Sequence, residues 1–295
     1  MKVILFLVGI LTGLLFSQVV QPVSAESPII PGLDASFKTS DGWTLTAKYM
    51  PAQKNEKTVL LLHGRGEAKE HWILLARYLK DAGLGYLAVD LRGHGDSLSG
   101  PKGKESWHKF RANKRQNDFE NMRFDIDASI QYLKTQGVDS NSVALIGDEV
   151  GGSLALKYAA IHPEIPMVVL ISPGLNYEEV LTVNAMRAYK NRPVLLIYAE
   201  SDRKSSHEAP LLYQFARLSA GDPNASLVSI PNLNGRKIAF YRPIAQQIAD
   251  WIKNPVKILP PAVSTSTVNS TMISTATSSV ALSSSTSTAP ALQNP

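Results

Sequence analysis

Short, nearly unbroken apolar runs recur along the middle of this chain, and amphipathic stretches separate them. The runs are Thr58–Leu62, Leu84–Leu91, Ser142–Ile146, Met167–Ser172, Val194–Tyr198 and Ala225–Ile230. Runs of this length, rich in branched aliphatics, suit strands buried on both faces of a parallel sheet. Between them, His71–Gly83 places Trp72, Leu75, Leu79 and Ala82 on one stripe, and Phe124–Gly137 does the same with Ile126, Ile130 and Leu133. Gly83 and Gly137 stand where C-terminal glycines end helices. Gly152–Ala160, Pro210–Ala220 and Pro243–Lys253 read as further helices. Ahead of the first run, Phe37–Ser40 and Trp43–Tyr49 flank Asp41-Gly42, the pattern of a hairpin. A hairpin followed by strand–helix alternation predicts an α/β fold: a doubly wound, mostly parallel sheet with an N-terminal antiparallel hairpin. Between Ser172 and Pro193 there is room for one helix, Tyr177–Tyr189, so no large cap is expected over the sheet.

The two ends have a different composition. Residues 1–25 carry Lys2, an apolar stretch from Val3 to Phe16, and the small-residue ending Val23-Ser24-Ala25. This is the three-part pattern of a secretory signal peptide cut after Ala25. The apolar stretch is shorter than the roughly 20 residues that span a bilayer. No charged residue follows Lys257, and 264–289 is mostly Ser, Thr, Ala and Val. Such a segment buries too little apolar surface to offset chain entropy, so 258–295 is expected to be a disordered tail whose Ser/Thr density permits O-glycosylation. The expected organisation is therefore 1–25 signal peptide, 26–257 folded domain and 258–295 tail. The protein would be secreted, periplasmic or on the cell surface, with no transmembrane anchor after cleavage.

Cysteine is absent, which excludes disulfides and cysteine-based metal sites. The formal charge of +5 is mild, but Lys102, Lys104, Lys109, Arg111, Lys114 and Arg115 cluster between two core elements. The cluster reads as a solvated loop, or as a contact for an anionic polymer or membrane surface. No nucleic-acid motif accompanies it, so nucleic acid is not an expected partner.

The chemistry concentrates at Gly147-Asp148-Glu149-Val150-Gly151, between an apolar strand and a helix. Three other strings stand in order around it: Leu60-Leu61-Leu62-His63-Gly64-Arg65-Gly66, Asp90-Leu91-Arg92-Gly93-His94-Gly95-Asp96-Ser97, and the run from Pro193 to Asp202. Together they resemble the α/β-hydrolase superfamily over about residues 35–253. The resemblance implies a G-x-S-x-G nucleophile elbow at Gly147–Gly151, with Glu149 where serine would stand. It implies Asp202 as the acid, Asn234-Gly235 in the slot of the catalytic histidine, and an oxyanion hole from the backbone N–H groups of Arg65 and Val150. His63 would support the oxyanion loop and His94 the turn after the fourth strand.

None of the six histidines lies beyond His207, so the last loop offers no imidazole in any register. Asparagine takes no proton from a hydroxyl at neutral pH, and a glutamate ester still needs a base to be hydrolysed. The expectation is a hydrolase-like pseudoenzyme that acts as a binding or scaffold module for a small molecule or surface polymer. The alternative is an active hydrolase of esters or related small molecules using Glu149, Asp202 and His207. In a third reading the Glu149 carboxylate folds back onto the Val150 and Arg65 N–H groups, or pairs with Arg65, Arg236 or Lys237. A cation held by Glu149, Asp148 and Asp202 is disfavoured, and neither metal nor cofactor is expected.

Overall fold

A computed structural model describes residues 29–258. The expected signal peptide, 1–25, and the expected tail beyond Ile258 lie outside the described residues. The chain opens with β1 (Leu33–Lys38) and β2 (Thr44–Met50), which pair antiparallel about the Asp41-Gly42 turn. β3 (Thr58–Leu62), α1 (Ile73–Asp81) and β4 (Gly85–Val89) follow, then two short strands, β5 (Ser99–Gly100) and β6 (Gly103–Lys104). Next come α2 (Arg123–Thr135), β7 (Val143–Asp148), α3 (Val150–Ile161) and β8 (Val168–Ile171). A small hairpin of β9 (Asn176–Tyr177) and β10 (Val180–Leu181) precedes α4 (Val183–Ala188). The chain then runs through β11 (Val194–Ala199), α5 (Arg203–Ser219), β12 (Ala225–Ile230) and α6 (Arg242–Lys253).

The main sheet has the order β12-β11-β8-β7-β3-β4-β2-β5-β6, with β1 on β2. Its strands from β12 to β4 are parallel, and β2 joins β4 antiparallel. The central strand β3 shows how two layers of helix are held. Leu60 and Leu62 face a core shared with α2, α3 and α5, whereas Val59 and Leu61 face a core shared with α1 and α6. Successive side chains of a strand point to opposite faces, so an all-aliphatic strand needs cover on both. The doubly wound sheet and the antiparallel hairpin are as the apolar pattern predicts.

Two elements differ from the pattern. Tyr177–Tyr189 is not one helix: β9 and β10 come first, and only Val183–Ala188 is helical. Glu178 and Glu179, at φ 51° and 59°, make the tight turn between those strands. α5 begins at Arg203, seven residues before Pro210, because Asp202 caps it by accepting from the Lys204 and Ser205 N–H groups at 3.0 and 3.2 Å.

The string Asp90–Ser97 has a structural task. Asp90 accepts from the Lys69 backbone N–H and ammonium group, both at 2.7 Å, and from the Asp96 N–H at 2.9 Å. Arg92 is buried and bonds Asp125 at 2.8 Å and Asp41 at 2.6 and 2.9 Å. These pairs fasten the turn after β4 to the hairpin and to α2. Among the described residues no helix is long and apolar enough to cross a membrane.

Candidate functional site at the strand–helix elbow

β7 ends at Asp148 and α3 begins at Val150, so Glu149 must turn the chain alone. It does so at φ 48° and ψ −114°, outside the conformations ordinary side chains favour. The flanking glycines make this possible. A Cβ on Gly147 would strike the Gly151 backbone, and a Cβ on Gly151 would strike the Leu62 carbonyl. The elbow is thus wedged between β3 and α3 with no room for a methyl group.

The loop after β3 lies over the elbow. The Glu149 Oε2 comes to 3.2 Å from the point a Cβ on Gly64 would occupy. The glutamate side chain therefore lies along the oxyanion loop. Its carboxylate accepts no hydrogen bond from a described residue, so the folded-back contact with the N–H groups of Val150 and Arg65 is not made. The loop itself is held by His63, whose Nδ1 bonds the Gly64 carbonyl at 2.8 Å and whose Nε2 accepts from the Leu91 N–H at 3.0 Å. Burial and the neighbouring His94 push the His63 ring down to about 3, so it stays neutral in this role. His94 bonds the Arg92 carbonyl at 2.9 Å, within the turn after β4.

Glu149, Ser201, Asp202, Asn234, Gly235 and Arg236 line a cleft of about 290 Å³. The three positions expected from the triad therefore face one space. Their contacts are not those of a working triad. Asp202 spends Oδ1 on the cap of α5, and its Oδ2 lies 2.5 Å from where a Cβ on Gly235 would be. Asn234 turns back on its own loop and accepts from the Arg236 N–H at 3.1 Å. No imidazole lines the cleft. His207 lies exposed on α5 with Nδ1 on the Arg203 carbonyl at 2.7 Å, so the structure does not bring it to Glu149 and Asp202. The site built from Glu149, Asp202 and His207 lacks its base.

An imidazole stands behind the elbow instead. His71 is buried, and its Nε2 lies 2.9 Å from Asp148 Oδ2, an ion-pair contact rather than an in-line hydrogen bond. Its other nitrogen is 3.8 Å from Glu67, and its ring packs edge-on against Trp72 and Phe240. Burial alone would lower the ring's pKa. The close contact of the ring with Asp148, first, and then the charges of Asp148, Glu67 and Glu149 outweigh burial and raise it. The sequence pattern gives His71 no role. Its one signal is a polar residue beside Trp72 on an otherwise apolar stripe.

Glu149 is pushed up to about 7, first by burial and then by the charge of Asp148, with Asp202 adding to the rise. Arg236 and Arg65 oppose the shift. Near neutral pH this carboxyl is therefore divided between its acid and its anion. On the small hairpin, Tyr177 of β9 donates to the Ser172 carbonyl at 3.0 Å, and Glu178 pairs with Arg65 at 3.1 Å. The small hairpin is thus tied to the oxyanion loop. Among the described residues no group of side chains is arranged to hold a metal ion.

Known proteins resemble this chain in the same region. The Hydrolase_4 family model, described as serine aminopeptidase S33, matches residues 53–192, a stretch that holds Glu149 and stops before Asp202 and Asn234. Protein phosphatase methylesterase 1 of Candida albicans is 25% identical over 191 residues, 63% of this chain and 48% of that protein. Monoacylglycerol lipase abhd6-B of Xenopus laevis is 30% identical over 135 residues, 45% of this chain and 34% of that protein. The matches thus span half or less of these relatives' lengths. The Pyrococcus furiosus esterase Pf2001 superposes with a TM-score of 0.59 at 20% identity, over 76% of this chain and 91% of that one, which shows a common fold. With the order of its motifs, the topology of its sheet and the glycine-framed turn at Glu149, the chain has the fold of the α/β-hydrolase superfamily.

Proposed function

We propose that this protein binds an ester-bearing small molecule, or the acid derived from one, without serine-hydrolase turnover. One observation carries the reading: the cleft at the elbow holds a carboxyl, Glu149, at the position the resemblance gives the nucleophile, and no imidazole lines it. A serine triad acts as a unit, and loss of even one member costs orders of magnitude in rate. Here serine and histidine are both replaced. What survives belongs to the backbone. The N–H groups of Val150 and Arg65 donate to no described residue, which leaves them free for a carbonyl or carboxylate oxygen. The ester class follows from the relatives named as a methylesterase and a monoacylglycerol lipase. Residues 1–25, acting as a signal peptide, would place this binding outside the cytoplasm, and N-terminal sequencing of the exported protein would then begin at Glu26.

The test is thermal shift with monoolein, followed by product analysis of the same samples. Ligand that binds the folded state raises the melting temperature in proportion to the logarithm of its excess over Kd. The expected result is a saturable rise that Glu149→Ala alters, with the monoolein recovered intact. Release of oleate above the buffer rate, abolished by Glu149→Ala, would sink the reading.

A second reading rests on the position of the Glu149 pKa near 7. A carboxyl poised there suits general acid–base work. In that reading Glu149 shuttles a proton beside Asp202, with His71 and Asp148 tuning it. Its mark would be a pH–rate profile with an inflection near 7 that moves to lower pH in Asp148→Asn, where the repelling charge is gone.

A further inference from the structure

Residues 102–115 hold six cations and a single carboxylate, Glu105, for a formal charge of +5. The whole chain also carries +5. Everything outside this short insertion is therefore balanced, and the protein is electrically one positive patch on a neutral body. All six side chains, Lys102, Lys104, Lys109, Arg111, Lys114 and Arg115, are exposed. None of them is in an ion pair with a described residue. Elsewhere on the surface, cations do find partners, as Lys157 does with Glu120 and Lys253 with Glu56.

The insertion is built, not merely long. β5 and β6 open it, the Trp107 N–H bonds the Gly93 carbonyl at 3.1 Å, and Ala112 bridges Asn117. Trp107 stacks on His94 and His108 at 5.4 and 3.9 Å, and Phe110 packs edge-on against Trp43 and Phe119. Lys102, Lys109 and Arg111 stand around a cleft of about 520 Å³. Two of that cleft's three acids are occupied, and the third, Glu105, accepts from the Lys102 backbone N–H at 3.4 Å. Asp41 holds Arg92, and Asp118 accepts from the Arg111 N–H and from Gln116. The cations are left facing solvent on a fixed platform. Like charges held this close repel one another, and that repulsion is relieved by a polyanion, which gives up its own condensed counterions on binding.

Two kinds of partner fit poorly. None of the large exposed apolar side chains belongs to the insertion, so it has nothing to bury in a bilayer. Its aromatic rings are engaged in internal packing and offer bases no stacking surface. We propose that this insertion is a docking site for an acidic polysaccharide, a linear chain of sulfate or carboxylate groups. The insertion touches the loop after β3 and the small hairpin: Arg65 lies 5.7 Å from the centre of the Trp107 ring, and Asn117 donates to the Glu178 carbonyl at 2.8 Å. The inference stands apart from the reading of Glu149, and neither depends on the other.

The test is binding of the full chain to heparin, the sulfated polysaccharide used as probe, across a salt series. One variant removes four patch cations: Lys109→Gln, Arg111→Gln, Lys114→Gln and Arg115→Gln. A control removes four exposed cations from elsewhere: Lys38→Gln, Lys54→Gln, Lys80→Gln and Lys134→Gln. Both keep the fold, which circular dichroism checks. The expected result is a Kd weakened about tenfold or more, and a shallower salt dependence, in the patch variant alone. Polygalacturonate is expected to compete with heparin. Three results would overturn the proposal: equal losses in the two variants, no heparin binding in about 50 mM salt, or tighter binding to phosphatidylserine vesicles or duplex DNA than to heparin.

Discussion

The elbow at Gly147–Gly151 and the loop from Pro231 to Arg236 face each other across one cleft, and they have kept opposite things. The elbow keeps a backbone. Glu149 holds its positive φ, and the two glycines admit the close passage of β3 and α3. The last loop has a backbone as well, capped by Asn234, and it brings an amide rather than an imidazole to the cleft. A site feature made by the main chain is enforced by packing on every side. A feature made by one side chain depends on nothing but that residue. On the function proposed here, this difference is how a chain would keep the form of a hydrolase site without its proton relay.

The largest expected effect breaks the elbow. Gly151→Ala forces a methyl group against the Leu62 carbonyl, between two backbone segments that cannot both move. Clashes of this kind cost more than about 4 kcal/mol, so the variant should fail to give a cooperative urea transition, whereas Gly137→Ala, open on all sides, should lose far less. The second effect tests the support behind the elbow. Asp148→Asn leaves the buried His71 without its main counter-charge. Breaking a buried pair costs about 3 kcal/mol. The ring's pKa is raised in the folded state, so the pair's contribution is full below the ring's unfolded value and fades as pH rises through the folded one. Urea unfolding should therefore show the larger loss near pH 6 and a smaller one at pH 9.

Most of the fold was legible because each buried strand is a short apolar run, and two matched the observed bounds to the residue, Thr58–Leu62 and Ala225–Ile230. α5 was read late, from Pro210, because its first two turns are polar and a proline looked like a start. The β9–β10 hairpin was unreadable because two-residue strands show no period. In the site, Glu149, Asp202 and Asn234 were found from ordered motifs, and all three line the cleft. His71 was missed because it meets Asp148 across 77 positions of sequence, and no local pattern records such a pairing.

Two smaller effects sharpen the comparison at single side chains. Glu149 has a raised carboxyl pKa, so the folded state is penalised once pH passes the unfolded value near 4.5, and in full above about 7. Glu149→Gln removes that penalty and should stabilise the protein by about 1–2 kcal/mol at pH 8, with solvent screening taken into account. Near pH 4, where the carboxyl is protonated in both states, the variant and the parent should unfold alike. Asn234→Ala removes an exposed cap and should cost about 0.5–1 kcal/mol, read as a small fall in melting temperature.

Hydrolysis of p-nitrophenyl acetate from pH 5 to pH 9, by the parent protein and by Glu149→Ala, bears most directly on the central claim. With no imidazole at the cleft to move a proton, the two proteins should match each other and stay close to the buffer rate at every pH. Saturable turnover in the parent that vanishes in Glu149→Ala would show that the glutamate has taken over the chemistry, and that the site is not silent.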